Sequence, residues 1–315
     1  MGINNIISAR NRYKIAYKNY MSVMWNIWRG KNKIKVIFNF QNGNSSYLSP
    51  NLVGNYAALI ANKNIQIYDL PSDSHNIKFT YKGKNINIAL DDGVGDIWGV
   101  FGLEEYGFLE VENETVVDIG ANIGDSPIYF LLNNAKNVIA LEPYPYSYNI
   151  ALKNIKKNSM EDKITLLNAG YGQDSIIKVN PNFENAIGSE LKSFNGGVDT
   201  KILSLKTLLS DYHIDKAILK MDCEGCEYNI LKEDNNTLRK FKRIQIEYHY
   251  GYEKLKEKLK DAGFTVTYSK PVKSLNKDAI SRKNSWNDIE SDIIMLDFRI
   301  NDSSILLKKV TETLL

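Results

Sequence analysis

VVDIGANIGDSPIYFLL, Val116 to Leu132, reads as a buried strand, a turn carrying two glycines and the start of a helix. Val116, Val117 and Ile119 are β-branched, as suits a strand covered on both faces. From about Ile97 onward, short apolar runs alternate with amphipathic segments such as YSYNIALKNIKKNS and YEKLKEKLKDAG. The runs are TVVDIGA, NVIALEP, KITLLNAGYG, KAILKMDCEG, RIQIEYHY, FTVTYS and DIIMLDFRI, seven strand candidates in all. Such alternation predicts an α/β domain with a doubly wound, mostly parallel seven-stranded sheet.

In an open sheet of this type ligands bind at the carboxyl ends of the strands. The turn after Asp118 lacks the G-x-G-x-x-G spacing of a dinucleotide fingerprint and the Gly-Lys-Ser/Thr of a P-loop. Its two carboxylates, Asp118 and Asp125, would repel a pyrophosphate and attract a cationic, amine-bearing ligand. S-adenosylmethionine has a sulfonium, an amino group, an adenosine and no phosphate. The second run, NVIALEP, ends in Glu142, 24 residues after Asp118. A carboxylate at that strand tip can accept both ribose hydroxyls.

With VVDIGANIGD, ALEPYPYSYNIALKNIKKN, NAGYG, and above all LKMDCEGCEYNIL followed by IQIEYH, the chain resembles the FkbM family of S-adenosylmethionine-dependent methyltransferases. The resemblance covers roughly Phe101 to Phe298 and implies a class I, Rossmann-like fold, an enzyme of the EC 2.1.1 type and O-methylation of a sugar or polyketide hydroxyl. It implies that Asp118, Gly120, Ala121, Asn122 and Gly124 border the methionine half of the cofactor. Glu142 would take the ribose, with Pro143 and Tyr144 on one side of the adenine and Ala169 and Gly170 on the other. Glu104 and Tyr106 match an acidic-aromatic pair before the first strand of the domain, which would close over the methionine moiety or the acceptor.

The fourth run ends in Lys220-Met221-Asp222-Cys223-Glu224-Gly225-Cys226-Glu227. Methyl transfer to a hydroxyl needs an aligned acceptor and a group that takes its proton. Asp222 and Glu224 are the candidates, and Asp222 is equally placed to bond the cofactor amine. His249, ending the fifth run, is the histidine placed to act as base, with Glu247 beside it. Asp222, Glu224 and Glu247 offer oxygens to Mg²⁺, but no ligand set is specified, so no metal is required. The position after the fourth strand, DCEG, departs from the N/D-P-P-Y/F loop that holds planar amines. Cys223 and Cys226 stand alone, so neither a zinc site nor a disulfide framework is expected, and the pair reads as incidental.

The head differs in texture. Residues 1–68 contain no Asp or Glu and nine Lys or Arg, so the head carries +9 and the rest of the chain −6. Tyr13, Tyr17, Tyr20, Met21, Met24, Trp25 and Trp28 recur at helical spacing and predict one amphipathic helix with an aromatic stripe. Beside them run Arg10, Lys14 and Lys18. KIKVIFNF, IQIYDL and IKFTYKGKNINIAL follow as strands, with a tight hairpin at Gly83. The expected organisation is an α+β accessory region over 1–96, a methyltransferase domain over 97–300 and a tail over 301–315. A cytoplasmic enzyme is expected, acting on a small-molecule or glycan acceptor, with peripheral membrane contact through the basic aromatic helix. Two other readings are an RNA methyltransferase that uses the basic head and a non-catalytic binding protein with a vestigial cofactor site.

Overall fold

The computed structural model describes residues 3–40, 45–69, 76–90, 97–183, 191–249, 251–268 and 292–297. The chain forms two units, with the boundary between Glu104 and Glu105 rather than at residue 97. His75, the polar segment SKPVKSLNKDAISRKNSWND and the tail over 301–315 lie outside the described residues. Among the described residues no helix is long and apolar enough to cross a membrane.

In the first unit the expected single helix is two: α1 (Ile3–Ala16) and α2 (Tyr20–Trp28). Residues between them pair with a strand instead of continuing the helix. Lys18 N–H donates to the Ile37 carbonyl, and Tyr17 bridges Phe38. The Asn19 side chain donates to the Lys35 carbonyl and accepts from Ile37 N–H, at 2.8 and 2.9 Å. Its amide thus imitates a strand neighbour of β1 (Ile34–Ile37). Tyr17 is fully buried and its hydroxyl donates to the Val53 carbonyl at 2.8 Å. β2 (Ser45–Leu48) pairs antiparallel with β1, and α3 (Pro50–Ile60) is capped by Ser49 with Pro50 in its first turn. β3 (Ile65–Asp69), β4 (Asn76–Tyr81) and β5 (Lys84–Ala89) make a three-stranded antiparallel sheet. The hairpin at Gly83 is as expected: Lys82 and Gly83 both have positive φ, the signature of a two-residue type I′ turn.

The second unit holds the seven candidate strands in one sheet. In chain order they are β6 (Thr115–Ile119), β7 (Asn137–Leu141), β8 (Ile164–Leu167), β12 (Ala217–Met221), β13 (Phe241–Tyr248), β14 (Thr265–Tyr268) and β15 (Asp292–Asp297). The sheet order is β14-β15-β13-β12-β6-β7-β8. The five strands from β13 to β8 are mutually parallel, and β15 lies antiparallel to both β13 and β14. The order reverses between β6 and β12, which is where such sheets open a ligand crevice. Helices α4 (Asp125–Leu132), α5 (Pro145–Lys157), α6 (Leu205–Asp211), α7 (Asn235–Leu238) and α8 (Glu253–Asp261) alternate with the strands. Ser204 and Asp234 cap α6 and α7 through Thr207 and Thr237 N–H.

KITLLNAGYG does not run as one strand. It breaks at Asn168, and β9 (Ala169–Tyr171) joins β10 (Ser175–Val179) and β11 (Val198–Leu203) in a separate three-stranded sheet. The Asn168 amide pins the corner by donating to the Glu142 and Pro143 carbonyls at 2.9 and 3.1 Å. That contact spans 26 residues of chain, beyond the reach of local periodicity.

Gly120 explains why the signature turn needs glycine. Its φ is +84°, and a Cβ there would lie 1.8 Å from the Asp222 carbonyl oxygen. The glycine therefore lets the β6 turn meet the end of β12. Gly120→Ala is expected to cost about 3 kcal/mol or more, because strain and overlap with rigid backbone add. A urea titration of the variant checks this; a loss under about 1 kcal/mol would show that the turn relaxes.

Candidate active site

The cofactor half is built by backbone turns that aim at one carboxylate. Glu142, at the tip of β7, is 4% exposed and accepts Asn122 N–H and Tyr144 N–H, both at 2.9 Å. Asn122 reaches it by adopting a positive φ of 43°, and Gly120 and Ala121 both donate to the Leu141 carbonyl. Burial drives the Glu142 carboxyl up to about 7, although the two backbone donors favour its charged form. Each oxygen keeps capacity for a further donor, which is what a ribose diol needs. Pro143 and Tyr144 follow directly. A Cβ on Gly170 would come within 3.5 Å of Pro143, so β9 closes against this corner. The Tyr144 ring stacks on Phe183 at 5.1 Å, an aromatic wall of which the sequence reading contained only Tyr144. A buried acceptor beside aromatic surface fits an adenosine.

Asp118, the first acid of the turn, is committed elsewhere. Asp118 is fully buried, 3.0 Å from Lys220 Nζ, and accepts from Ser126 Oγ at 2.7 Å. Lys220, itself 1% exposed, also donates to the Gly120 carbonyl at 2.7 Å and sits over the Tyr106 ring at 5.3 Å. Burial alone would lower the Lys220 pKa; Asp118 and Asp222 outweigh it and hold the ammonium charged. The expectation that Asp118 attracts a cationic ligand is corrected by this pair: its cation is internal, on the next strand. Gly124 serves α4, its missing Cβ making room for Ala151 of α5 at 3.0 Å.

The second cluster lies at the ends of β12 and β13. Tyr106 Oη donates to Asp222 at 3.2 Å, and burial followed by the Asp222 charge pushes that phenol well above its ordinary range. Glu224 holds a left-handed φ of 55° and meets His249 Nε2 at 3.0 Å. Glu227, fully buried, meets His249 Nδ1 at 3.0 Å and accepts Gly225 N–H at 2.8 Å. Glu247 Oε1 lies 3.9 Å from Nε2. Burial tends to lower the histidine pKa, but the bonds to Glu224 and Glu227 outweigh it and raise it to about 11. His249 is therefore an imidazolium at neutral pH. The expectation of a histidine base is corrected: both nitrogens clamp carboxylates. The Glu247 carboxyl is raised well above its ordinary value, first by the Asp222 charge and then by burial.

Asp222, Glu224 and His249 each offer a ligand atom within 4.8 Å of the others, a set that could hold a divalent cation only once the imidazolium gives up its Nε2 proton. It includes the histidine and omits Glu247, unlike the all-carboxylate set read from sequence. Cys223 and Cys226 are bonded to each other, so the pair is not incidental: it closes the loop that presents Glu224. Glu104 belongs to the first unit, where the Tyr81 hydroxyl donates to it at 2.6 Å, whereas Tyr106 belongs to the second. Lys220, Ser126, Asn168 and Phe183 had no assigned role in the sequence reading, and Glu227 was read only as an acid in the first turn of the next helix, where it does stand.

Residues 118–266 match the family model described as the methyltransferase FkbM domain. Among curated proteins, the chain is 29% identical over 144 residues to the uncharacterized protein 158B of Sulfolobus islandicus rod-shaped virus 1, covering 46% of this chain and 66% of that one. It is 28% identical over 144 residues to the hexuronic acid methyltransferase AglP of Haloferax volcanii, covering 44% of this chain and 58% of that protein. The chain thus spans under two thirds of the length of these relatives. Solved structures with partial likeness include TYW2 of M. jannaschii in complex with AdoMet, at 16% identity, 75% and 94% coverage and a TM-score of 0.39. Another is TrmK of M. capricolum with S-adenosyl-homocysteine, at 15% identity, 65% and 71% coverage and a TM-score of 0.35. The glycine turn, the Glu142 strand tip and the Asp222–Glu227 segment all fall within the residues that match the methyltransferase FkbM domain.

Proposed function

We propose that the whole protein is an O-methyltransferase acting on a hydroxyl of an uncharged sugar or similar polyol. The observation that carries this reading is the placing of Asp222. Its backbone packs on Gly120 of the cofactor turn, while its carboxylate reaches the Tyr106 hydroxyl and stands by the Glu224–His249 pair. When bound, S-adenosylmethionine supplies an electrophilic methyl group. Asp222 accepts the proton that the acceptor hydroxyl releases as its oxygen gains that methyl. Tyr106 and Lys220 orient the carboxylate and its surroundings, and the imidazolium of His249 offsets the charge of Glu224 and Glu227. Because Glu247 is pushed toward its neutral form by Asp222, the two do not carry two full charges together. With Glu247 neutral and Lys220 paired to Asp118, the carboxylates of Asp222, Glu224 and Glu227 still outnumber the His249 cation, so the surplus is negative and disfavours an anionic acceptor. The named acceptor of the Haloferax volcanii relative is a hexuronic acid, which supports the sugar class but not the charged form.

Asp222→Asn is expected to lower methyl transfer about 100-fold or more while leaving S-adenosylmethionine affinity within about threefold. Transfer of labelled methyl to neutral glycosides and to uronates, with calorimetry alongside, checks both parts. Loss of cofactor affinity in this variant would assign Asp222 to the cofactor amine instead. A preference for uronates would overturn the acceptor class.

A further inference from the structure

The first unit buries Tyr17, Phe38 and Tyr56 to 4% exposure or less, and outside α2 its exposed aromatics, Tyr47 and Tyr68, are tyrosines with a polar hydroxyl. Helix α2 treats its own aromatics differently. Met21, Trp25 and Trp28 are 64%, 55% and 77% exposed, while Val23 on the other side is fully buried. Positions 21, 25 and 28 lie one helical turn apart, so they form one outward ridge. The predicted stripe is therefore divided, with Tyr17 in the core and the second half facing solvent. Lys14, Lys18, Arg29, Lys31, Lys33 and Lys35 are exposed around the same helix, and no acid occurs before Asp69.

We propose that α2 and its flanking cations dock on the surface of an anionic lipid bilayer. An apolar ridge of Trp and Met would enter the headgroup region, where indole is favoured, and the surrounding cations would meet lipid phosphates. The ring geometry favours this over single-stranded nucleic acid, which needs open aromatic faces. Trp25 and Trp28 stack on one another at 5.0 Å, and the Arg29 guanidinium lies 5.9 Å from the Trp25 centroid. Their faces are thus partly covered by one another and by Arg29. A long, exposed Met21 adds apolar reach that base stacking would not use. Docking of this kind needs no acceptor and does not depend on the proposed methyl transfer.

The test is sedimentation of the full chain with vesicles of phosphatidylcholine alone or mixed with phosphatidylglycerol, at low and raised salt. Binding is expected only to the mixed vesicles, weakening as salt rises. Trp25→Ala/Trp28→Ala and Lys31→Glu/Lys33→Glu should each weaken it about tenfold or more, with melting by circular dichroism unchanged because these side chains are exposed. No binding to the anionic vesicles overturns the proposal, as does binding that the Trp variant leaves intact. Absence of vesicle binding together with tRNA binding that depends on the two tryptophans would assign the surface to RNA. A dimer dissolved by the Trp variant, again without vesicle binding, would assign it to self-association.

Discussion

Replacing Glu142 with alanine is expected to abolish measurable S-adenosylmethionine binding, a loss of about 100-fold or more in affinity. Two effects combine: the diol loses its charged acceptor, and Asn122 and Tyr144 N–H lose theirs, so the turn loses its anchor. The pH dependence is separately testable. The carboxyl titrates at about 7 in the folded chain, against an ordinary value near 4.5. A hydroxyl pair donates best to the ionised form, so affinity should rise through pH 7 and gain about tenfold between pH 6 and 8. Stability should move oppositely. The folded state holds this proton more tightly than the unfolded one, so stability falls as pH climbs from about 4.5 to 7, by about 3 kcal/mol, and then levels off. Glu142→Gln should remove that slope while still binding cofactor poorly, because its one amide oxygen can accept only one of the Asn122 and Tyr144 N–H groups. Calorimetry and urea titrations at several pH values read both. Cofactor affinity in the alanine variant within about threefold of the parent would remove Glu142 from the site.

Lys220→Met should destabilise the second unit by about 3–5 kcal/mol, because it leaves the Asp118 carboxylate buried without its cation. With both side chains at most 2% exposed, the pair has little access to water, and Ser126 supplies only one hydrogen bond in compensation. Asp118→Asn/Lys220→Met removes both charges and should recover much of the loss, since replacing a whole buried pair costs less than breaking it. Denaturant titrations of the single and double variants decide the matter. If the double variant is no more stable than Lys220→Met, the ion pair is not the cause.

Much of the second unit was legible because its signals are local. β-branched runs covered on both faces, glycines at positive φ and a carboxylate at a strand tip all declare themselves within a few residues, and Glu142 and Gly120 stand where the pattern puts them. The clustering of Asp222, Glu224 and His249 was legible in the same way, since residues ending adjacent parallel strands come together. Their chemical states were not. His249 was read as a base because its ordinary titration lies near neutrality; the carboxylates of Glu224 and Glu227, on another element, hold its two nitrogens and raise its pKa. The disulfide was missed because three-residue spacing alone does not tell a bonded pair from an incidental one.

By itself, then, the amino-acid order determined the alternation of strands and helices, the cofactor turn and the likeness of residues 118–266 to the FkbM methyltransferase domain, since each is written in short-range pattern. Only the tertiary structure decided that Lys220, 100 residues from Gly120, neutralises Asp118, and that Tyr17 turns inward while Trp25 and Trp28 stay out. The reason is physical: charge state and exposure depend on which distant groups displace water from a side chain, and no local period encodes that.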